Sequence, residues 1–190
     1  MMVAVSIFAI VMMIGVGALL ALIQTNKRAQ AINSVMNNVN AALESMSRSI
    51  RVGSNYHCAL SSEDISNLTS PSDCSPTPGV LIAFEASDGD KNDPNDQVVY
   101  RLNGTQIERS LCSGVNQTCA SGAKNGAWVA MTAPEVTIDP TLSRFYVIGS
   151  TAGDGTQPRI LITLHGSAKV PGGTTEFTVQ SSVVQRLLDL

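Results

Sequence analysis

The chain has 190 residues, room for one ordinary domain plus a separate apolar segment but not for two full domains. It carries 12 Lys and Arg against 15 Asp and Glu, and the formal charge of −3 is unevenly spread. Residues 1–51 sum to +3 and the remainder to −6, so no direct nucleic-acid contact is expected: phosphate binding needs clustered Lys and Arg, and the distal part has none.

Met1 to Asn26 contains no charged side chain, and Met1 to Ile23 has Ser6 as its one clearly polar residue. About 20 apolar residues suffice to cross a bilayer's hydrocarbon core as a helix. No basic residue precedes the run, and it is longer than the apolar core of a cleaved secretory signal, so a retained span is expected. Lys27–Arg28 marks its end. Helical periodicity then continues without Pro or Gly to Arg51, and one rod over this length would measure about 77 Å.

In the second half of the rod Ile32, Val35, Val39, Ala42, Leu43, Met46 and Ile50 share one stripe. Asn33, Asn37, Asn40, Glu44, Ser47 and Arg48 lie opposite. The stripe predicts a helix laid across its own domain's sheet; a coiled-coil contact with a partner is the alternative, with few heptads to support it. Val52–Gly53 reads as the helix end. Residues 53–79 read as a loop, interrupted by Pro71, Pro76 and Pro78, with one helical turn over Glu63–Asn67.

Beyond Gly79 the period becomes two. Strands are predicted at Val80–Glu85, Val98–Leu102, Gln106–Arg109, Trp128–Met131, Val136–Asp139, Arg144–Ile148, Arg159–Leu164 and Thr174–Val184, with a hairpin turn at Asn103–Gly104. The expected fold class is α+β: a long N-terminal helix, membrane-spanning and then amphipathic, packed on an antiparallel β-sheet head. Its parts are an assembly half of the helix (1–26), an amphipathic half (27–52), a loop (53–79) and the β head (80–190).

Cys58, Cys74, Cys112 and Cys119 all lie beyond the apolar segment, which suits disulfides; free thiols and zinc are the alternatives, and no C-x-x-C pair is present. Short loops close most easily, which favours Cys58–Cys74 and Cys112–Cys119 among the three connectivities. Disulfides put the head outside the cytoplasm, whereas the positive-inside tendency puts Lys27–Arg28 within it.

Catalytic motifs are absent. His57 and His165 stand in no nucleophile motif, one beside a cysteine and one at a strand end. Gly149–Gly153 has its serine one place early for a nucleophile elbow, and neither phosphate-cradling glycine pattern occurs. No catalytic role and no cofactor are expected. The one candidate ion site is acidic: Asp88, Asp90, Asn92, Asp93 and Asp96 offer hard oxygens suited to Ca²⁺. The first three match the opening ligands of an EF-hand loop, but Asp93 replaces its Gly and Val99 its closing Glu. A solvated turn selects the same residue types.

Three stretches carry a resemblance: Met2–Val11, Ala41–Arg51 and the closing Phe177–Arg186, with the hairpin Val98–Arg109 and Gln157–Arg159 in support. Together they resemble the type IV pilin and pseudopilin superfamily, best its larger minor subunits of J or W type. The resemblance implies a structural subunit that sits in the cytoplasmic membrane with its head extracytoplasmic. From there it assembles through the apolar helix with other pilin or pseudopilin subunits into a pilus or type II secretion-like filament. It also implies a basic leader closing on Gly, and a Glu just ahead of the stretch matching Met1–Met2. Neither is present, and the expectation is that the start lies upstream, which would also resolve the orientation conflict. Where many members carry a Pro in the apolar helix, this chain has Gly15 and Gly17, the expected site of a bend or local melting in a filament, or of close helix packing. Two rivals remain: a tip-located adhesion or uptake module using loops 88–96 or 112–119, and an unrelated single-pass membrane protein with an outer β-domain.

Overall fold

A computed structural model describes residues 1–62, 68–87, 89–90, 97–111, 128–151 and 153–186. Helix α1 runs unbroken from Met2 to Val52, as the periodicity predicts. Val35, Val39, Ala42, Leu43, Met46 and Ile50 are buried and Ile32 is half-buried, so the predicted stripe is the face laid on the head.

The head holds two antiparallel sheets. The first has the order β1–β2–β3–β4–β5, from Ser54–Ala59, Leu81–Glu85, Gln97–Asn103, Gln106–Leu111 and Val129–Ala130. In the second, β8 (Arg159–Val170) pairs on one side with β6 (Val136–Ile138) and β7 (Arg144–Ile148), and on the other with β9 (Gly173–Val184). One core joins the helix stripe to Tyr56, Phe84 and Tyr100 of the first sheet and to Phe145, Ile160 and Ile162 of the second. The far face of the first sheet buries Ala59, Leu68, Leu81, Ala83 and Val99 beside Trp128. Because β2 is covered on both faces, all five of its residues are buried and it reads as an apolar run rather than an alternation. On that far face Arg101 stacks 3.8 Å from the Trp128 ring centre and pairs with Glu108 at 2.8 Å.

Four expectations need correction. The stretch read as a loop begins with strand β1, whose polar composition hides it. Its inner edge pairs β2 with a register shift between Ser54 and His57, and its outer edge bonds Ser72 through Cys58 N–H and the Tyr56 carbonyl. Gly53 does not end the helix in the left-handed conformation; its φ is −76° and ψ 171°. It is glycine for lack of space, since a Cβ there would run into the Phe84 ring. The tight turn lies one residue later than predicted: Asn103 pairs Gln106, and Gly104, at φ 55°, takes the first central place, as type II′ turns require. Strand β8 runs on to Val170, placing His165 mid-strand, because the Phe177 ring opposite Gly166 fills the space its missing side chain leaves.

The helix end is capped from the sheet. The Tyr56 hydroxyl, fully buried, lies 2.7 Å from both the Gly53 carbonyl and the Ile50 carbonyl, which also accepts from Gly53 N–H at 3.1 Å. Burial pushes the Tyr56 phenol well above its ordinary value. Folding therefore favours the neutral form: the contribution is complete below the unfolded value of about 10 and declines as pH climbs from there toward the folded one. Tyr56→Phe should cost about 1–3 kcal/mol by taking the hydroxyl donor from the Gly53 carbonyl, and should flatten the loss of thermal stability between pH 10 and 11 that the parent shows.

Candidate functional site

The candidate functional surface is the part of α1 that the head leaves uncovered. Every residue from Met1 to Gln30 is exposed, and sixteen large apolar side chains between Met1 and Ile23 stand at 43 % exposure or more. By length and composition this helix can span a membrane, the span lying at the N-terminal end. The two hydroxyls on this stretch are satisfied within the helix: Ser6 Oγ donates to the Met2 carbonyl and Thr25 Oγ1 to that of Ala21, each at 2.9 Å. Neither brings a stray donor into hydrocarbon. The helix continues through Gly15 and Gly17, where an added Cβ would meet nothing within 4 Å, so no packing within the described residues requires these glycines.

The head grips the other half along its length. Asn38 Oδ1 accepts from Ala133 N–H at 2.9 Å, Ser47 Oγ lies 3.3 Å from Ser181 Oγ, and Arg186 N–H donates to the Arg51 carbonyl at 2.8 Å. Ser47, predicted on the solvent side, is thus half-buried against β9. These bonds fix β9 beside the helix and running in the same direction, with the β8–β9 turn toward the apolar end.

Cys58 and Cys74 form the expected disulfide, 16 residues apart in the chain with Cα atoms at 5.7 Å. Cys74 N–H also bonds the Val147 carbonyl, so this link ties β1 of the first sheet to β7 of the second. The second predicted pair, Cys112–Cys119, lies outside the described residues. So do Asp88, Asn92, Asp93 and Asp96 of the candidate calcium loop, of which only Asp90 is described. Residues Glu63–Asn67 are likewise outside.

The remaining polar candidates serve structure. His57 bonds the Ser70 carbonyl at 2.7 Å and His165 the Thr178 hydroxyl at 3.1 Å. Ser150, in the elbow-like stretch, is buried while its N–H and that of Gly149 donate to the Asp73 carboxylate at 2.8 and 3.0 Å. Asp139 accepts from the Thr141 hydroxyl and N–H, bonds that hold its carboxyl below the usual range.

Sequence reading finds the uncovered helix but misses what the β8–β9 hairpin brings to it. A groove of about 440 Å³ lies between that turn and the helix, lined by Ala21, Gln24, Thr25, Arg28, Pro171 and Gly172. A Pro-Gly-Gly turn announces a hairpin in the sequence, but nothing in it states the height at which the turn meets α1. The chain matches no protein-family model, and no curated protein or solved structure is similar to it.

Proposed function

We propose that this protein is a structural subunit of a helix-cored filament, a minor pilin or pseudopilin, held in the cytoplasmic membrane by residues 1–26 before assembly with its head extracytoplasmic. The observation that carries the reading is one continuous helix divided between two environments: one face of residues 35–50 buried on the head, residues 1–30 bare all round. Burying a Leu, Ile or Met side chain is worth about 1.5–3 kcal/mol. Sixteen of them left in water forfeit on the order of 30 kcal/mol, against about 5–15 kcal/mol for a whole domain's net stability. Such a surface rests in lipid or against other helices. The filament uses both in turn: assembly moves the same side chains from lipid to the equivalent helices of neighbours, and the head sets which subunit stands beside which. The resemblance of Met2–Val11, Ala41–Arg51 and Phe177–Arg186 to that superfamily supports the choice of filament over simple anchor.

Mass spectrometry of the mature protein from its own cells tests this reading. The expected N-terminus lies upstream of Met1, at an apolar or aromatic residue followed by Glu. A mature chain starting at Met1, or one cut after the apolar segment, contradicts it.

A further inference from the structure

The height of the β8–β9 turn along α1 has a consequence for the membrane-held form. The apolar run closes at Ile23, followed by Gln24, Asn26, Lys27 and Arg28, so a span filling a hydrocarbon core of about 30 Å with about 20 helical residues leaves it near Leu22–Ile23. The turn meets the helix at Ala21, Gln24, Thr25 and Arg28. That is the headgroup layer, not free solvent above it.

The residues at this level fit such a place. Pro171 and Gly172 are small and uncharged at the very tip, with Gly172 at φ 91° and Gly173 at φ 149°, so the backbone turns without a bulky side chain to hold it off a surface. Just above them, cations gather. Lys27 and Arg28 are exposed on the helix, and Lys169 is exposed on β8 two residues before Pro171, beside a groove lined by Ala31 and Ser34. The one carboxylate lining that groove is Glu135, and Glu176 is exposed on β9 two residues beyond Thr174, the partner of Lys169. A net positive collar therefore rims a protein whose remainder is acidic.

We propose that the β8–β9 hairpin tip is a membrane-contact element that seats the head on anionic phospholipid headgroups through Lys27, Arg28 and Lys169. The proposal rests on the membrane-spanning part of the function above. Before assembly the head is docked, so extraction must break this contact as well as withdraw the helix from lipid.

The test uses full-length protein in vesicles of phosphatidylcholine, alone or mixed with phosphatidylglycerol, carrying nitroxide quenchers at the headgroup or in the acyl chain. Thiol-reactive fluorophores are placed by Pro171→Cys, with Thr174→Cys as a second tip position should the first disturb the turn. Val11→Cys reports the span, and Ser182→Cys reports β9 about 26 Å further out. The unsubstituted chain is carried through labelling as the blank. Headgroup quenching at position 171 or 174 that is about twofold stronger with phosphatidylglycerol, and lost on Lys169→Glu, is the expected result. Position 182 should stay unquenched. Acyl-chain quenching at position 11 without headgroup quenching at either tip position overturns the proposal alone, and quenching indifferent to lipid charge overturns the anionic assignment. Absence of quenching at position 11 overturns the spanning helix itself.

Discussion

Replacing Ile10 and Ile14 together by Asp should release the full-length protein from membranes. Both sit mid-span and are more than half exposed on the free helix, so the change barely touches the head. Each Asp at a helix centre costs about 2.5–3.5 kcal/mol for insertion, and each lost Ile removes about 0.5 kcal/mol of favourable transfer. The pair should shift partitioning by about 6–8 kcal/mol, four orders of magnitude or more. Alkaline carbonate extraction reads the outcome: the parent stays with the pellet, the variant moves to the supernatant. The head should fold in both, because residues 35–50 provide its helical face unchanged. A variant that still pellets with membranes means that the span is not what holds the protein there.

The second large effect belongs to the core. Phe84 is 1 % exposed, with ring centres 6.0 Å from Tyr56 and 5.9 Å from Tyr100, and it also closes on Gly53 at the helix end. Truncation to Ala removes the ring that joins the helix terminus to the first sheet and leaves a cavity among rigid neighbours. Such changes cost about 3–5 kcal/mol, and for a head of this size Tm should fall by about 10–20 °C. Phe84→Leu should recover more than half of the loss by refilling most of the space. Calorimetry of the full chain in detergent checks both. A shift under 3 °C for Phe84→Ala would show that helix and sheet are not coupled through this ring.

What the sequence made legible follows from how many neighbours each residue needs. The helix was readable throughout because its two halves are written in two patterns, uniform apolarity to Ile23 and a one-sided stripe from Ile32 to Ile50, each a local property. Strand β7 was found at its true limits, since Phe145 and Val147 alternate with solvent-facing Arg144, Tyr146 and Ile148. Strand β1 was not found, because its alternation rests on Tyr56 and Cys58 alone and its outer edge is completed by Ser72, far along the chain. Gly166 looked like a strand end only because the ring that covers it comes from β9. The same limit applies to the candidate site. The bare helix surface could be listed residue by residue, whereas the meeting of Pro171–Gly172 with Ala21–Arg28 depends on the tilt and register of the whole second sheet.

The division of one helix between its own head and other molecules is best tested by oxidative cross-linking of the full-length Leu20→Cys protein, in membranes and in filaments sheared from cells. Leu20 is 55 % exposed and lies just short of the level at which the β8–β9 turn meets the helix. Sister helices packed side by side predict disulfide-linked dimers in the sheared fraction and mostly uncross-linked protein in the unassembled membrane pool. Cross-linking that never exceeds the membrane background, or full-length protein that stays monomeric and soluble without lipid or detergent, would contradict the exchange of lipid for neighbouring helices.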